Sequence, residues 1–594
     1  MMTDIPGSED DIYREQLPNF KSLLLRQSKE CCSPRSFKNR LPILSWLPTY
    51  QWNFLFQDFV AGLTVGLTAI PQSIAYAVVA GLPPQYGLYS AFMSCFIYIF
   101  FGSCKDITIG PTAIMALMIQ THVNGYNEDF AILAAFLTGF VIFGMGLLNL
   151  GVLVQFISIP VVTGFTTAAA VTIGSGQINP LFGMKSKSNS FINSWEHFFT
   201  HFGDIRSNDA ILGVLSLLTL LLLRKFKDVK CLPKMLTKYV ALSRNALAVI
   251  VGILLAYFLT SDGVEPFKLT GKIEAGLPPF KPPPFHTTIN GVEYSFTEMV
   301  TSLGSSLITI PLISILETVA IAKSFAKGKT VDASQEMVAV GLCNIISSFV
   351  QSMPITGSFT RTALNNASGV KTTLGGAVTG ILVILTLAFL TSTFYYIPKA
   401  TLSAIIIAAM IFMVDHERIV EVWKSKKSDM IPFLVTLLAC LFLGLEYGMI
   451  LGIGVNLMFI LITSARPYVL FELVKVADMQ VLTVEVHSDL KYSAAEYLKD
   501  RIFSYVVEHP EIDIVILKGE EIFSIDSTVG LNLVMLKKDL ENIHCEMIFW
   551  NWNVSAAGVV CRLDDKTKGE FYNGKTASEV VEKFLRVKEN YDSV

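Results

Sequence analysis

The residues best suited to chemistry lie in a short polar stretch, residues 353–369, which is flanked by long apolar runs. Pro354 and Gly357 interrupt it, and it is too short for a full membrane span, which needs about 20 mostly apolar residues. Irregular backbone at membrane depth occurs only where protein buries it or where it lines a water-filled cavity. The stretch therefore predicts a half-helix over residues 357–367 that begins within the bilayer, and Arg361 places a charge there.

A second segment has a similar design. Residues 108–117 form a short apolar run that contains Gly110 and Pro111, followed by Thr112 and Ala113. Two short segments interrupted by Gly and Pro, at corresponding places in two halves of a chain, point to a transporter built from inverted repeats. The N-terminus of a helix carries a charge of about +0.5, so two facing N-termini plus the arginine supply about +2. This arrangement favours an anion, and two negative charges on it would match the charge of the site.

One acidic residue, Glu317, lies inside an apolar segment, in the run SILETVA at residues 314–320. An ionisable group inside a membrane span marks a candidate functional site and is expected to have a partner. Burial favours the neutral form of a carboxyl group, whereas a nearby arginine favours its charged form. Two roles stay open: Glu317 is protonated when the anion binds, for proton coupling or charge balance, or it forms a static salt bridge with Arg361.

The composition is that of a protein that crosses the membrane many times. Of 594 residues, 52% are hydrophobic and 16% are charged, and the net charge is −3. The apolar segments predict fourteen membrane segments, seven in each half of the chain, and the segment at 299–326 is expected to be interrupted by Pro311. Lys and Arg in the short loops place both termini in the cytosol.

Three regions follow from the change in composition along the chain. Residues 1–54 are predicted to form a cytosolic N-terminal tail, residues 55–464 a transmembrane domain, and residues 465–594 a cytosolic domain with a C-terminal tail. In the last region, strand patterns alternate with helical ones, for example the strand pattern at 512–517. This alternation predicts a small α/β domain.

Several motifs, in order along the chain, resemble those of the sulfate permease, or solute carrier 26, family. They are PQSIAYAVVAGLPPQYGLY at 71–89, IGPT at 109–112 and SFTR at 358–361. The C-terminal domain resembles the STAS domain. This resemblance implies a polytopic α-helical membrane protein with 14 transmembrane segments as 7+7 inverted repeats, divided into core and gate domains. It also implies an elevator-like motion, a homodimer and a cytosolic α/β STAS domain.

The resemblance also implies an anion pocket and a function. The pocket residues are Gln72, Tyr76, Thr112, Ala113, Phe359, Thr360 and Arg361. The implied function is sodium-independent, secondary-active transport of sulfate, with chloride, oxalate and bicarbonate as further candidate anions. Anion exchange and proton-coupled symport both stay open, as do the plasma membrane and the endolysosomal membrane. In the STAS-like domain, Ser527 lies where related bacterial domains carry a phosphorylated serine, and a helix cap is the alternative role for Asp526 and Ser527.

Other functions fit the sequence less well. An anion channel or a voltage-driven motor on the same fold is the main alternative, and a buried acid such as Glu317 favours coupled transport over it. A nucleobase transporter would need acidic hydrogen-bonding groups in both central segments, and Arg361 argues against it. No enzyme activity, cofactor, metal or nucleic acid is expected. The predicted partners are small anions, protons, membrane lipids and a second copy of the chain.

Overall fold

The computed structural model describes residues 40–152, 157–184, 190–225, 240–241, 243–260, 266–271, 274, 276–326, 331–391, 393–476, 479–487 and 489–592. The chain forms two compact units, which divide between residues 453 and 454. The first unit is helical, and the second contains a five-stranded sheet.

The first unit consists mainly of helices, because a backbone inside a bilayer must satisfy its own hydrogen bonds. Its helices in the first half of the chain are α1 (Ile43–Trp46), α2 (Trp52–Val79), α3 (Pro84–Phe101), α4 (Ala113–Gly125), α5 (Glu128–Leu147), α6 (Ile159–Gly176), α7 (Ile178–Leu181), α8 (Phe191–Thr200), α9 (Ser207–Lys225) and α10 (Arg244–Leu259). Those that follow are α11 (Phe296–Leu303), α12 (Ser306–Phe325), α13 (Ala333–Ser348), α14 (Phe359–Ser368), α15 (Gly375–Leu385), α16 (Lys399–Ile411), α17 (His416–Ser425), α18 (Met430–Leu443) and α19 (Leu445–Ala465). The last of these helices continues into the second unit.

Seven helical segments of the described chain are long and apolar enough to cross a membrane. They are Trp52–Val79, Glu128–Leu147, Ile159–Leu181, Ser207–Arg224, Ser306–Phe325, Lys399–Ser425 and Leu445–Ala465. Shorter apolar helices, among them Arg244–Leu259 and Gly375–Leu390, lie between them along the chain. These segments are those of a multi-pass membrane protein, and the count of fourteen stays a prediction.

The helices of the first unit pack in two groups. In the first group, α5 packs on α13, α15 packs on α2 and α3, and α14 packs on α2. In the second group, α6 packs on α18, and α9 packs on α16. Helix α2 also contacts α10 and α16, so it lies where the two groups meet. Each group therefore takes helices from both halves of the chain.

Helices α5 and α13 approach each other backbone to backbone. A Cβ atom on Gly139 would lie 2.6 Å from the backbone nitrogen of Ile345, and one on Gly341 would lie 2.5 Å from that of Phe143. Real Cβ atoms do not come this close to backbone, so the contact requires glycine at both positions. This contact joins the two halves of the chain within the first group.

Two predicted helix boundaries are wrong. The segment at 299–326 breaks at Gly304 and not at Pro311, because Gly304 has φ +48° and ψ −123°, which only glycine adopts readily. Pro311 lies inside α12, where a membrane helix tolerates proline. The half-helix predicted at 108–117 begins later, at Ala113, and extends to Gly125, since the residues before Thr112 are extended.

The second unit is an α/β domain, as its alternating pattern predicts. Its sheet has the order β5 (Val469–Val476), β6 (Met479–Val486), β7 (Ile512–Lys518), β8 (Glu546–Trp550) and β9 (Phe571–Tyr572). The β5 and β6 strands are antiparallel, and the remaining pairs are parallel. The helices are α20 (Tyr492–Glu508), α21 (Ser527–Glu541), α22 (Val554–Leu563) and α23 (Ala577–Asp592). The β5 strand, the β9 strand and α23 were not predicted.

Candidate anion-binding site

The two half-helices start from a short pair of antiparallel strands. In this pair, Ile109 lies opposite Gly357, and Gly110 lies opposite Thr356. The strands of the pair are β1 (Ile109–Gly110) and β4 (Thr356–Gly357). Between them along the chain, β2 (Thr287–Ile289) and β3 (Val292–Tyr294) form a separate hairpin. Helix α4 follows β1 and α14 follows β4, so the helices leave the pair from opposite ends. Both strands are fully buried, and each half-helix begins inside the first unit.

Buried side chains hold the β4 strand in place. The Asn344 side chain donates to the Ile355 carbonyl at 2.9 Å and accepts from the Ile355 N–H at 2.9 Å. Two residues further on, the Gly357 N–H donates to the Thr318 hydroxyl at 3.1 Å. These bonds satisfy backbone groups that lack a helical partner, which is required at this depth. Helices α12 and α13 thus position the start of α14.

Arg361 is the charged group at this site. Its side chain is 1% exposed, and its Nη2 donates to the Pro111 carbonyl at 2.9 Å, just before α4. The Nε and Nη1 atoms have no hydrogen-bond partner among the described residues. A Cβ atom on Gly110 would lie 3.1 Å from Nη2, so the absence of a side chain there gives the guanidinium room. Arg361 therefore connects the two half-helices and keeps two donor atoms free.

The N-terminus of α14 has free backbone donors. No side chain caps this helix, and its first intrahelical bond runs from the Thr362 N–H to the Ser358 carbonyl at 2.8 Å. The N–H groups of Phe359, Thr360 and Arg361 precede that bond and have no acceptor within the helix. Such a helix end attracts negative charge.

The N-terminus of α4 differs, because Thr112 caps it. The Thr112 hydroxyl accepts from the Met115 N–H at 3.4 Å. Its own proton stays available to a ligand. Ala113 is the first helical residue and is buried, as Thr112 is. The two predicted residues thus lie at the helix end that approaches Arg361 through Pro111.

Helix α2, which packs on α14, carries two of the predicted polar side chains. Gln72 is 2% exposed, and its Oε1 has no hydrogen-bond partner among the described residues. Tyr76, one turn later, is buried, and its hydroxyl is close enough to both Arg361 and Glu317 for an electrostatic interaction with each. The structure therefore brings Tyr76, Arg361 and Glu317 into one neighbourhood.

Glu317 forms no hydrogen bond or ion pair with the described residues. Its Oε2 atom is buried and has no hydrogen-bond partner in the described part of the chain. No salt bridge joins it to Arg361 there, since the Arg361 Nε and Nη1 atoms are also unpaired and Nη2 donates to Pro111. The static salt bridge is thus not formed in this conformation.

Two further predicted residues lie at the edge of this region. The Phe359 side chain is 51% exposed, and its ring packs against Phe325 at 5.5 Å between centroids. The Thr360 side chain is half-buried, with its hydroxyl 3.4 Å from that of Ser358. Neither side chain is enclosed as Arg361 is, and both lie at the uncapped end of α14.

Two buried carboxylates were not predicted as part of this architecture. Glu336 accepts from the Tyr98 hydroxyl at 2.9 Å and from the Ser103 N–H at 3.1 Å, which fixes the segment before β1. Asp58 accepts from the N–H groups of Lys371, at 2.7 Å, and Thr372, at 3.1 Å, after α14. Their partners are distant in sequence, so local patterns gave no signal for these contacts.

In the second unit, Ser527 is the first residue of α21 and is exposed. The cap of this helix is Asp526, whose Oδ1 accepts from the Val529 N–H at 2.9 Å. A phosphate on Ser527 would lie at the positive end of the helix dipole, although the Asp526 carboxylate beside it is negative.

The comparison with known families agrees with this architecture. Residues 55–436 match the sulfate permease family. The chain belongs to that family. This sulfate permease family member is therefore a multi-pass integral membrane protein. Its relatives are named as transporters and permeases, which confirms the prediction of a transport protein rather than an enzyme.

Two curated relatives are similar over most of the chain. The sodium-independent sulfate anion transporter of Bos taurus is 41% identical over 569 residues, which cover 94% of this chain and 93% of the relative. Sulfate transporter 4.1, chloroplastic, of Arabidopsis thaliana is 33% identical, with 86% of this chain and 77% of the relative covered.

Solved structures share the fold of this family member at low sequence identity. The murine solute carrier 26 family member A9 anion transporter, in its inward-facing state, matches with a TM-score of 0.81 at 19% identity, covering 94% of this chain and 98% of that chain. The transmembrane domain of the cyanobacterial bicarbonate transporter BicA matches with a TM-score of 0.54 at 18% identity, covering 69% and 98%.

Proposed function

We propose that this protein is a sodium-independent, secondary-active sulfate transporter that holds the anion between the N-termini of α4 and α14. One observation carries the proposal: the buried Arg361 guanidinium has two unpaired donor atoms beside an uncapped helix N-terminus. A buried charge with unpaired donors is unfavourable unless a ligand completes it. The names of the bovine and Arabidopsis relatives support sulfate as that ligand.

The charges at the site fit a dianion. Arg361 supplies one positive charge, and the two helix ends supply about +0.5 each, so the sum is about +2. The free N–H groups at the start of α14, with the hydroxyls of Thr112 and Thr360, replace part of the water that a sulfate ion loses on binding. Gln72 and Tyr76 complete the pocket from α2. Chloride, oxalate and bicarbonate carry less charge or a different shape and are candidate exchange partners.

The proposed mechanism is an elevator-like movement within a 7+7 inverted repeat of 14 segments. The group of helices that contains α14, which α4 joins through its contacts with α2 and α5, forms the core domain, which carries the anion. The group that contains α6, α9, α16 and α18 forms the gate domain. The separate packing of these groups, with contacts between them concentrated at α2, supports this assignment. The functional unit is a homodimer, and the second unit is a cytosolic STAS domain in which Ser527 is a phosphorylation site.

Glu317 balances the charge of the site during transport. When its carboxyl is protonated, the site keeps the charge of Arg361 and binds a dianion; when it is ionised, the site favours a monoanion or no anion. The position of Tyr76 supports this role, because its hydroxyl interacts electrostatically with both Arg361 and Glu317. The protein would then move one proton with each sulfate or exchange sulfate for a monoanion.

The test is uptake of radiolabelled sulfate into proteoliposomes that contain the full-length protein, with and without trapped chloride. Wild type should take up sulfate without sodium, and Arg361→Gln should lose at least about 100-fold in uptake, as removal of one key donor does elsewhere. Arg418→Gln, an exposed arginine on α17, is the matched control and should transport normally. A chloride conductance without sulfate uptake in wild type would instead favour the channel.

A further inference from the structure

A second cavity of about 600 Å³ lies elsewhere in the first unit. The end of α2, the middle of α4, the end of α6 and the start of α16 form its walls. The anion site between the N-termini of α4 and α14 is called the central site below. None of the residues assigned to the central site lines this cavity. It is large enough for a small oxyanion with several waters, and it lies where the two helix groups meet.

This cavity is basic. Its lining contains Arg206, Lys268 and Lys399, and none of its described lining residues is acidic. One carboxylate, Asp209, lies behind the wall and is fully buried, with its Oδ2 at 3.6 Å from the Arg206 Nε. The three cations and this one anion leave a net charge of +2 around the cavity. A cleft lined by charges of one sign concentrates ions of the opposite sign.

Hydrogen bonds and an ion pair connect the segments that carry the three cations. The Lys268 N–H donates to Asp209 Oδ1 at 3.1 Å, and the Lys268 ammonium donates to the Gly183 carbonyl. The Lys399 N–H donates to the Lys268 carbonyl at 2.8 Å, at the first residue of α16. The Lys399 ammonium itself forms no hydrogen bond or ion pair with the described residues. One of the three charges is therefore available to a ligand.

A neutral group in the cavity wall is also unsatisfied. Thr172 of α6 is 7% exposed, and its hydroxyl is buried without a hydrogen-bond partner among the described residues. Gln120 of α4 lines the same cavity, and its Oε1 is likewise buried and unpaired. Buried polar groups of this kind normally have a partner, so each points to a ligand or to water that bridges to one. These two residues lie on different helices that share this cavity with Lys399.

We propose that this cavity is a second anion site, a basic vestibule that binds a sulfate-like oxyanion before it enters the central site. The onward transfer of the anion rests on the proposed function, whereas binding in the vestibule does not. Lys399 supplies the free charge, and Thr172 supplies a neutral donor. Because the site combines two net charges with a wide cavity, it binds weakly and acts mainly by raising the local anion concentration, an effect that falls with ionic strength.

Equilibrium binding of radiolabelled sulfate to the purified full-length protein tests the vestibule separately from transport. Arg361→Gln disables the central site, so any sulfate that it still binds should occupy the vestibule. Adding Lys399→Gln to that variant should abolish the remaining binding, and Lys399→Arg should restore it. If Arg361→Gln binds no sulfate, or if the double variant binds as much as Arg361→Gln, the vestibule is refuted.

Transport kinetics give a second readout. Lys399→Gln alone should raise the KM for sulfate about 5- to 10-fold at low ionic strength and leave the maximal rate unchanged, with a smaller difference at high ionic strength. Lys281→Gln removes an exposed lysine outside this cavity and is the matched control. An unchanged KM at low salt would overturn the proposal, whereas absence of sulfate transport in wild type would overturn the proposed function instead.

Discussion

Replacement of Glu317 by glutamine tests how the site balances charge. Glutamine has nearly the shape of a protonated glutamate but cannot ionise. In the structure, Glu317 Oε2 is buried without a partner, and Tyr76 lies close to both Glu317 and Arg361. We expect an ionised Glu317 to repel an anion held at Arg361.

The expected size of the effect follows from Coulomb's law. At an effective dielectric constant of about 20, the repulsion between a unit charge and a dianion is about 4 kcal/mol when their separation is about 8 Å. This energy corresponds to a factor of about 1,000 in affinity, so sulfate binds appreciably only when Glu317 is protonated. Since one proton is bound with each sulfate, uptake by wild type at low sulfate concentration should fall as pH rises, by up to about tenfold per pH unit.

The assay is the initial rate of radiolabelled sulfate uptake into proteoliposomes across a range of external pH, with and without an inward proton gradient. Wild type should respond to both, whereas Glu317→Gln should exchange sulfate at a rate that is independent of pH and of the gradient. Glu293→Gln, an exposed glutamate on β3, provides the matched control and should behave as wild type. Equal pH profiles for wild type and Glu317→Gln would refute the reasoning.

Three further changes test helix packing, the room around Arg361 and a helix cap in the second unit. Gly139→Leu should destabilise the protein by about 1–3 kcal/mol or more through overpacking, seen as a lower melting temperature, whereas Gly144→Leu on the same helix meets open space and should be tolerated. Gly110→Ala should displace the Arg361 guanidinium and raise the KM for sulfate about threefold or more with little change in melting temperature, and an unchanged KM would contradict the contact. Asp526→Ala should weaken α21 by about 1 kcal/mol, measured by faster hydrogen exchange of its first turn.

Local sequence signals predicted the short helix of the site well. Pro354 and Gly357 interrupt an apolar region, and the half-helix expected at 357–367 is present as Phe359–Ser368. The cause is local, because proline and glycine restrict or free the backbone wherever they occur. The same kind of signal misplaced the break near Pro311, since a glycine a few residues earlier adopts a conformation that ends the helix.

Contacts between distant residues could not be predicted in this way. Glu336 lies 233 residues from its partner Ser103, and Asp58 lies 314 residues from Thr372. Each carboxylate satisfies backbone N–H groups at the ends of the crossing segments, and only the folded arrangement of the two halves creates these contacts. The unpaired Thr172 hydroxyl is equally invisible in sequence, because a threonine in an apolar helix usually bonds to its own backbone.

The most direct test of the central claim is a structure of the full-length protein determined in the presence of sulfate. Sulfate should lie within hydrogen-bond distance of the Arg361 side chain and of the first N–H groups of α14, with Thr112 on its other side. An Arg361 side chain that instead pairs with Glu317, with no anion at the two helix ends, would contradict the account.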